Sequence, residues 1–181
     1  MAKVYILFAD GVEEIEALTA VDVLRRGNQD AVMVSVTGER VITGSHGIRF
    51  ATDCLLEDTD CTDGAMLVLP GGGPGTKALK AHAGVEKLLR RYDEEEKLIG
   101  AICAAPSVLG KYGLLRGHRA TCFPGFEQEL TGADVTGASV ETDGRFITGK
   151  GMGVSVEFAI ALLRALAPEE ADRVAAAIQM R

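Results

Sequence analysis

Short, mostly apolar runs alternate with longer amphipathic stretches along the chain. The apolar runs cover residues 3–9, 31–36, 65–69 and 98–102, and such runs are typical of strands buried on both faces of a parallel sheet. Between them, apolar residues recur every three or four positions, as on one face of a helix. Strands alternating with helices predict an α/β fold: one domain over residues 1–181 whose doubly wound, mostly parallel sheet carries helices on both faces.

Two further segments predict antiparallel hairpins. A Gly-Ser-His-Gly turn joins residues 41–43 to residues 48–51, which predicts a small hairpin appended to the edge of the sheet. An Asp-Gly pair joins two alternating pieces within residues 140–148, which predicts a second hairpin. Residues 119–123 predict one more strand before a Pro-Gly pair.

Three helices can be placed from their periodicity and end signals. The first runs from about residue 13 to residue 26, another covers residues 154–166, and Pro168 opens an alanine-rich helix that we expect to reach the chain end. The helical period turns these apolar residues toward the core: Ile15, Leu18, Val21 and Leu24 in the first helix, and Val156, Ala159, Ile160 and Leu163 in the second.

Composition and charge exclude several classes of function. The 181 residues are 47% hydrophobic and 25% charged, as in ordinary soluble domains, and the formal net charge of -7 argues against a nucleic-acid-binding surface. No apolar stretch approaches the roughly 18 residues that a membrane span needs. The chain opens on a strand-like segment that leaves no room for a signal peptide. We therefore expect a cytoplasmic protein whose partners are neither nucleic acid nor membrane.

The cysteines and histidines show no metal-binding pattern. Cys54, Cys61, Cys103 and Cys122 form no Cys-x-x-Cys pair and no zinc spacing, so we interpret them as free thiols. The three histidines are scattered along the chain, and a lone histidine is more often a surface or capping residue than a ligand. The sequence thus predicts no bound metal.

Cys103 has the most unusual setting of the four cysteines. It follows the apolar run 98–102 directly, and the small residues after it lead into a helix with Pro106 in its first turn. This arrangement predicts a sharp strand-to-helix turn, as in the nucleophile elbows of serine hydrolases. The helix dipole favours a thiolate there. The alternative interpretation is a cysteine that acts only as a small core residue.

Two other stretches end at the same predicted edge of the sheet. Three glycines, 71–73, follow the strand 65–69, and their exposed N–H groups can hold an oxyanion, although a plain tight turn also explains them. The spacing of a phosphate-binding loop is absent. Glu16 lies one turn into the first helix and can point toward the same crevice, or it can simply complement the helix dipole. Residues 149–153 form another glycine-rich connection beside this crevice.

Three motifs together resemble the ThiJ/PfpI superfamily. They are Gly11-Val-Glu-Glu-Ile-Glu16, Leu69-Pro-Gly-Gly72 and Ala101-Ile-Cys-Ala-Ala-Pro106, and residues 21–26 and 151–158 resemble later segments of the same family. The branch that the chain resembles most is that of the parkinsonism-associated deglycase and its bacterial relatives. The resemblance implies a flavodoxin-like fold and a homodimer.

The resemblance also implies a role for each residue of the site. Cys103 would be the reactive thiol, and Glu16 a carboxyl group that hydrogen-bonds the sulfur, is protonated near neutral pH and shuttles a proton. Gly72 and Ala104 would donate N–H groups to a developing oxyanion, and no cofactor is implied. The chain departs from the family at Ala104, where many hydrolases of the superfamily carry histidine.

A second departure concerns Phe123, which occupies a position where relatives in the deglycase branch often carry histidine. A thiol peptidase needs a base to activate its thiol, so peptidase or amidase activity loses most of its support. The first hypothesis is therefore a glyoxalase or deglycase that acts on methylglyoxal-like 2-oxoaldehydes or their adducts. The alternative is a non-enzymatic redox sensor or chaperone that works through oxidation of Cys103.

Overall fold

The computed structural model describes residues 1–180, which contain eleven strands and six α-helices. In chain order the strands are β1 (Lys3–Phe8), β2 (Asp30–Ser35), β3 (Val41–Thr43), β4 (Arg49–Ala51), β5 (Cys54–Leu55), β6 (Met66–Leu69), β7 (Leu98–Ile102), β8 (Arg119–Ala120), β9 (Asp134–Val135), β10 (Val140–Asp143) and β11 (Phe146–Gly149). The helices are α1 (Glu14–Arg26), α2 (Gly73–Ala81), α3 (Ala83–Glu94), α4 (Pro106–Lys111), α5 (Ser155–Leu166) and α6 (Pro168–Ala177).

Seven strands form the central sheet in the order β10-β11-β7-β6-β1-β2-β5. All neighbouring strands are parallel except the β10–β11 pair, which is the antiparallel hairpin predicted from the Asp-Gly turn. The chain runs from β1 outward to β2 and then returns to β6 on the other side of β1. This reversal is a topological switch point, and in open α/β sheets ligands bind in the crevice at the carboxyl ends of the strands that flank such a point.

Helices cover both faces of the sheet, as predicted. In β1, Tyr5 and Leu7 pack with residues of α2, α3 and α4, whereas Val4, Ile6 and Phe8 pack with residues of α1, α5 and α6. The period of two along the strand sends alternate side chains into two separate apolar cores. Each face of the sheet thus carries one of the two cores. The apolar runs of the sequence therefore correspond to strands that are covered on both faces.

Most of the positions predicted for the core faces of α1 and α5 lie in or against the core, but one position in each helix does not. Ile15 and Val156 are 51% and 41% exposed, and neither belongs to the core. The buried side of α1 carries Ala17 and Ala20 instead. Small side chains let a helix approach its neighbours closely, which a pattern based on large apolar residues does not detect.

The position of one hairpin and the extents of two other elements also differ from the prediction. The β3–β4 hairpin forms a separate two-stranded sheet, and the edge strand of the central sheet beside β2 is β5. The strand predicted over residues 119–123 is only the two residues of β8, which pair with β9. The last helix ends at Ala177, and residue 181 lies outside the described residues. Within residues 1–180, no helix combines the length and apolar character that a membrane crossing requires.

Candidate active site

Cys103 stands at a strained turn between β7 and α4. Its φ angle is 64°, a left-handed conformation that costs a non-glycine residue about 1–3 kcal/mol. The backbone around it is held from two sides, because Cys103 N donates to Gly149 O at 2.9 Å and Cys103 O accepts from Phe123 N at 2.8 Å. The elbow predicted from the sequence is therefore present, and its side chain lies at the carboxyl end of β7.

Glu16 lies in the first turn of α1 and is only 1% exposed. Its Oε2 accepts a hydrogen bond from Gly71 N at 2.9 Å, and its carboxyl group interacts with the thiol of Cys103. Oε1 is buried and accepts no hydrogen bond from a nitrogen or oxygen of residues 1–180. The structure thus joins the carboxyl group and the thiol predicted from separate motifs.

Gly71 is where α1, β6 and the Cys103 elbow come closest together. A Cβ atom at this position would lie 2.5 Å from Cys103 Cβ and 2.5 Å from Glu16 Oε2. Gly72 follows with a φ of +91°, a conformation that favours glycine. The glycines thus do more than form a turn, since only glycine at position 71 leaves room for the thiol and the carboxyl group to meet.

Burial raises the pKa of both titratable groups, but Glu16 raises the pKa of Cys103 whereas the hydrogen bond from Cys103 lowers that of Glu16. Burial, followed by the nearby Glu16 charge, raises the pKa of Cys103 to about 12, although the N–H groups of Gly72 and Ala104 oppose this. Burial raises the pKa of Glu16 to about 7. The pKa of the thiol thus moves opposite to the direction expected from the helix dipole, because burial and the facing carboxyl group raise it more than the N–H groups of Gly72 and Ala104 lower it.

Gly72 and Ala104 lie where the sequence predicted them, next to the sulfur. Their N–H groups stabilise negative charge on Cys103, as the direction of their effect on its pKa shows. The same N–H groups can reach an oxygen that carries charge next to the sulfur during addition to a carbonyl group. Their role toward an oxyanion stays a prediction.

The histidines have partners away from the thiol. His46 Nδ1 lies 3.0 Å from Glu14 Oε2, His118 Nδ1 lies 3.3 Å from Asp143 Oδ2, and His82 caps the N-terminus of α3. In the described part of the chain, none of the three forms a hydrogen bond with Cys103. Within residues 1–180, no histidine is therefore hydrogen-bonded to the thiol in the manner of a cysteine peptidase.

The Glu14–His46 contact was not predicted. Glu14 is buried, and desolvation opposes its charge, but hydrogen bonds from the side chain and backbone of His46 lower its pKa to about 2. Glu13, Glu14 and His46 place possible metal-ligand atoms within 4.8 Å of one another. Both oxygens of Glu14 already accept hydrogen bonds from His46 and Ser45, and Glu14 forms an ion pair with His46 when the imidazole is protonated.

Comparison with known proteins agrees with this geometry. The model of the DJ-1/PfpI family matches residues 2–165. Protein DJ-1 homolog B of Arabidopsis thaliana is 38% identical over 182 residues, which cover 99% of this chain and 42% of that protein. The chain thus spans less than half the length of this plant relative.

Two relatives of similar length carry names that describe an activity. A deglycase of Pyrococcus abyssi is 31% identical over 150 residues, covering 82% of this chain and 89% of that protein. The glutathione-independent glyoxalase DJR-1.2 of Caenorhabditis elegans is 32% identical over 166 residues, covering 90% of this chain and 88% of that protein. Among solved structures, oxidized Toxoplasma gondii DJ-1 superposes with a TM-score of 0.95 at 30% identity, covering 99% of this chain and 98% of that one.

Proposed function

The chain belongs to the DJ-1/PfpI family, and from this premise we propose that it is a cofactor-independent enzyme acting on reactive carbonyl compounds. Its substrates would be methylglyoxal-like 2-oxoaldehydes or their adducts, as the names of the deglycase and glyoxalase relatives suggest. The observation that carries the proposal is the buried contact between the Cys103 thiol and the Glu16 carboxyl group.

The pair supplies both groups that addition to an aldehyde requires. The sulfur of Cys103 attacks the aldehyde carbon, and the resulting alkoxide takes a proton, which gives a hemithioacetal. Glu16 has a pKa of about 7, so it can give up a proton and recover it near neutral pH. The N–H groups of Gly72 and Ala104 stabilise the negative charge that develops next to the sulfur.

The second half of the reaction moves a hydrogen along the two-carbon unit. The Glu16 carboxylate removes the proton from the former aldehyde carbon and delivers it to the neighbouring carbonyl carbon, while the oxygen protons redistribute. The product is a thioester of a 2-hydroxy acid on Cys103. Water then cleaves the carbon–sulfur bond, which releases lactate from methylglyoxal and restores the thiol.

A redox sensor is the second candidate. Toxoplasma gondii DJ-1 was solved in an oxidized form, and a sulfinate on Cys103 would face the same carboxyl group. The two functions differ in turnover, because an enzyme forms product in molar excess whereas a sensor is oxidised once per molecule. Family membership also leads us to propose that the protein is a cytoplasmic homodimer. Light scattering should then give a mass of twice the 19.1 kDa of one chain.

The test is lactate formation from excess methylglyoxal. We expect many turnovers in the wild type and none in Cys103→Ser, because a serine hydroxyl group is far less acidic than a thiol and stays protonated, which leaves it a weak nucleophile. Cys54→Ser is the matched control, since this thiol is half-buried on the outer strand β5. Cys61→Ser and Cys122→Ser should also keep most activity. Equal loss in Cys54→Ser and Cys103→Ser would contradict the assignment, and no turnover in the wild type would favour the sensor.

A further inference from the structure

An apolar hollow of about 360 Å³ opens beside the Cys103 elbow. Its walls are Phe123 and Pro124 on one side and residues 150–154 on the other. The first wall is hydrogen-bonded to Cys103, because Phe123 N donates to Cys103 O at 2.8 Å, and the second wall begins directly after Gly149, whose O accepts from Cys103 N at 2.9 Å. The hollow therefore adjoins the backbone of the Cys103 elbow.

The hollow exposes large apolar side chains. Phe123 is 47% exposed and Met152 is 52% exposed, although neither packs into one of the two cores. The ring of Phe123 lies over Gly151, where a Cβ atom would be 3.1 Å from Phe123 Cδ2. The backbone at position 151 thus sets the depth of the hollow, and a side chain there would crowd the ring.

The charges around the hollow favour a neutral occupant. Lys150 is its only charged lining residue, and its Nζ donates to Gly137 O at 3.1 Å. The lining residues contribute no carboxylate. The hollow is open to solvent, and its volume of about 360 Å³ leaves room for an aromatic ring. The hollow therefore suits an uncharged apolar group the size of an aromatic ring.

We propose that this hollow binds the apolar substituent of the carbonyl substrate, so that the enzyme prefers 2-oxoaldehydes with an aryl or large alkyl group over methylglyoxal. The inference rests on the proposed function and names its substrate class. Phe123, which occupies the place where relatives often carry histidine, becomes a specificity-determining residue. The substituent on the second carbon of the substrate would lie against Phe123 and Met152 while the aldehyde carbon meets the thiol.

The first test compares kcat/KM for phenylglyoxal and methylglyoxal. We expect the phenylglyoxal to methylglyoxal ratio to fall about tenfold in Phe123→Ala and less in Met152→Ala, because removing apolar contact area weakens discrimination by this order. Phe123→Leu should restore most of the ratio. Val156→Ala is the control, since Val156 is an exposed apolar residue of α5 that does not line the hollow. An unchanged ratio in Phe123→Ala would overturn the proposal.

A second measurement does not depend on turnover. Alkylation of Cys103 by N-benzyl iodoacetamide and by iodoacetamide compares the same chemistry with and without an aromatic substituent. In the wild type we expect N-benzyl iodoacetamide to alkylate Cys103 faster than iodoacetamide does. This difference in rate should disappear in Phe123→Ala and persist in Val156→Ala. If this occurs while no aldehyde is turned over, the hollow stands and the proposed function fails.

The remaining outcomes count against the hollow as a substrate site. Turnover of both aldehydes with unchanged ratios in both assays overturns the inference and leaves the proposed function intact. Light scattering gives a further outcome. If Phe123→Ala has a lower molecular mass than the wild type, again with unchanged ratios, Phe123 belongs to a contact between two copies of the chain. This result also overturns the inference.

Discussion

Cys103 and Glu16 share one proton over a wide pH range. The pKa of Glu16 is raised to about 7 and that of Cys103 to about 12, so between these values the pair carries a single proton. The proton can reside on the thiol or on the carboxyl group, and the two apparent values belong to the pair as a whole. We propose that the form with the proton on Glu16 is the reactive one, because only then is the sulfur a thiolate.

Replacement of the carboxyl group should change both rate and pH dependence. We expect Glu16→Gln to lower kcat by roughly 10²–10⁴, the contribution of a general acid or base. The wild type should gain kcat/KM as pH rises through about 7, where Glu16 titrates. In Glu16→Gln the rise of kcat/KM with pH should instead follow the titration of the thiol. The pKa of that thiol no longer contains the contribution of the Glu16 charge. Methylglyoxal kinetics between pH 5 and pH 10 would measure both effects.

Glu13→Gln is the matched control for this experiment. Glu13 Oε2 accepts a hydrogen bond from Glu16 N at 2.8 Å, which an amide oxygen can also accept. The charge of Glu13 contributes to the raised pKa of Glu16. In Glu13→Gln the rise of kcat/KM should therefore occur at lower pH than in the wild type, while most of kcat is kept. Unchanged kinetics in Glu16→Gln would leave Glu16 as a partner of the helix dipole only.

The sequence predicted the residues of the site better than their electrostatics. Cys103, Glu16 and Gly72 were expected at one edge of the sheet because each follows a buried strand or opens a helix there, and their roles were implied by the family resemblance. The direction of the thiol pKa could not be predicted, since it depends on how deeply Cys103 is buried and how closely Glu16 approaches it. Spacing along the chain carries no information on either quantity.

At the scale of elements, the β3–β4 hairpin is fastened to the start of α1. Thr43 O accepts from Gly11 N and Thr43 N donates to Asp10 Oδ1, both at 2.8 Å. The Glu14–His46 pair adds a second attachment one turn further along. These bonds hold the hairpin against the loop that precedes the Glu16 turn.

The attachment should be strongest in a window of mildly acidic pH. The pKa of Glu14 is lowered from 4.5 to about 2, so its stabilisation is present above pH 4.5 and is lost as pH falls toward 2. The pKa of His46 is raised from 6.5 by Glu14, so its stabilisation is complete below pH 6.5 and is lost as pH rises through the higher value. We expect maximal protection of hairpin amides between about pH 4.5 and 6.5, measured by hydrogen exchange over residues 41–51 after correction for the intrinsic rate.

Glu14→Gln should remove this pH dependence and increase exchange in the hairpin. Glu39→Gln is the control, because Glu39 is exposed and only its backbone forms hydrogen bonds near the hairpin. Protection that follows the same pH profile in Glu14→Gln and in the wild type would show that the other bonds alone hold the hairpin.

The elements themselves were largely predictable, and their attachments were not. The β10–β11 hairpin and the buried strands follow from turn residues and from apolar runs, which are local signals. The β3–β4 hairpin is instead hydrogen-bonded through its backbone to Asp10 and Glu14, which lie more than 30 residues away in the sequence. Three of the four positions predicted for the core face of α1 pack in or against the core, but Ile15 is exposed, and the buried Ala17 and Ala20 were not predicted.

At the scale of the whole molecule, the two cores stabilise a site that is unfavourable on its own. The left-handed backbone of Cys103 and the buried carboxyl group of Glu16 both oppose folding. Strands β6 and β7, which lead into Gly71 and Cys103, are covered by helices on both faces. The energetic cost of the site should therefore be visible in global unfolding.

Glu16→Gln should be more stable than the wild type in alkaline solution. The pKa of Glu16 is 4.5 in the unfolded chain and about 7 in the fold, so its contribution is complete below pH 4.5 and is lost as pH rises through 7. At about 1.4 kcal/mol per pKa unit, ionisation costs the wild type on the order of 3 kcal/mol at pH 8. Urea unfolding should show this gain in Glu16→Gln at pH 8 and none at pH 4.5.

The control for this measurement is Glu157→Gln, a substitution on the exposed side of α5. It should leave the difference between pH 4.5 and pH 8 as it is in the wild type. A Glu16→Gln variant that is both inactive and less stable at pH 8 would mean that the carboxylate supports the fold, in which case its loss of activity would reflect a damaged site. A gain in stability together with a loss of turnover would show that the buried carboxyl group is kept for chemistry, at the expense of stability.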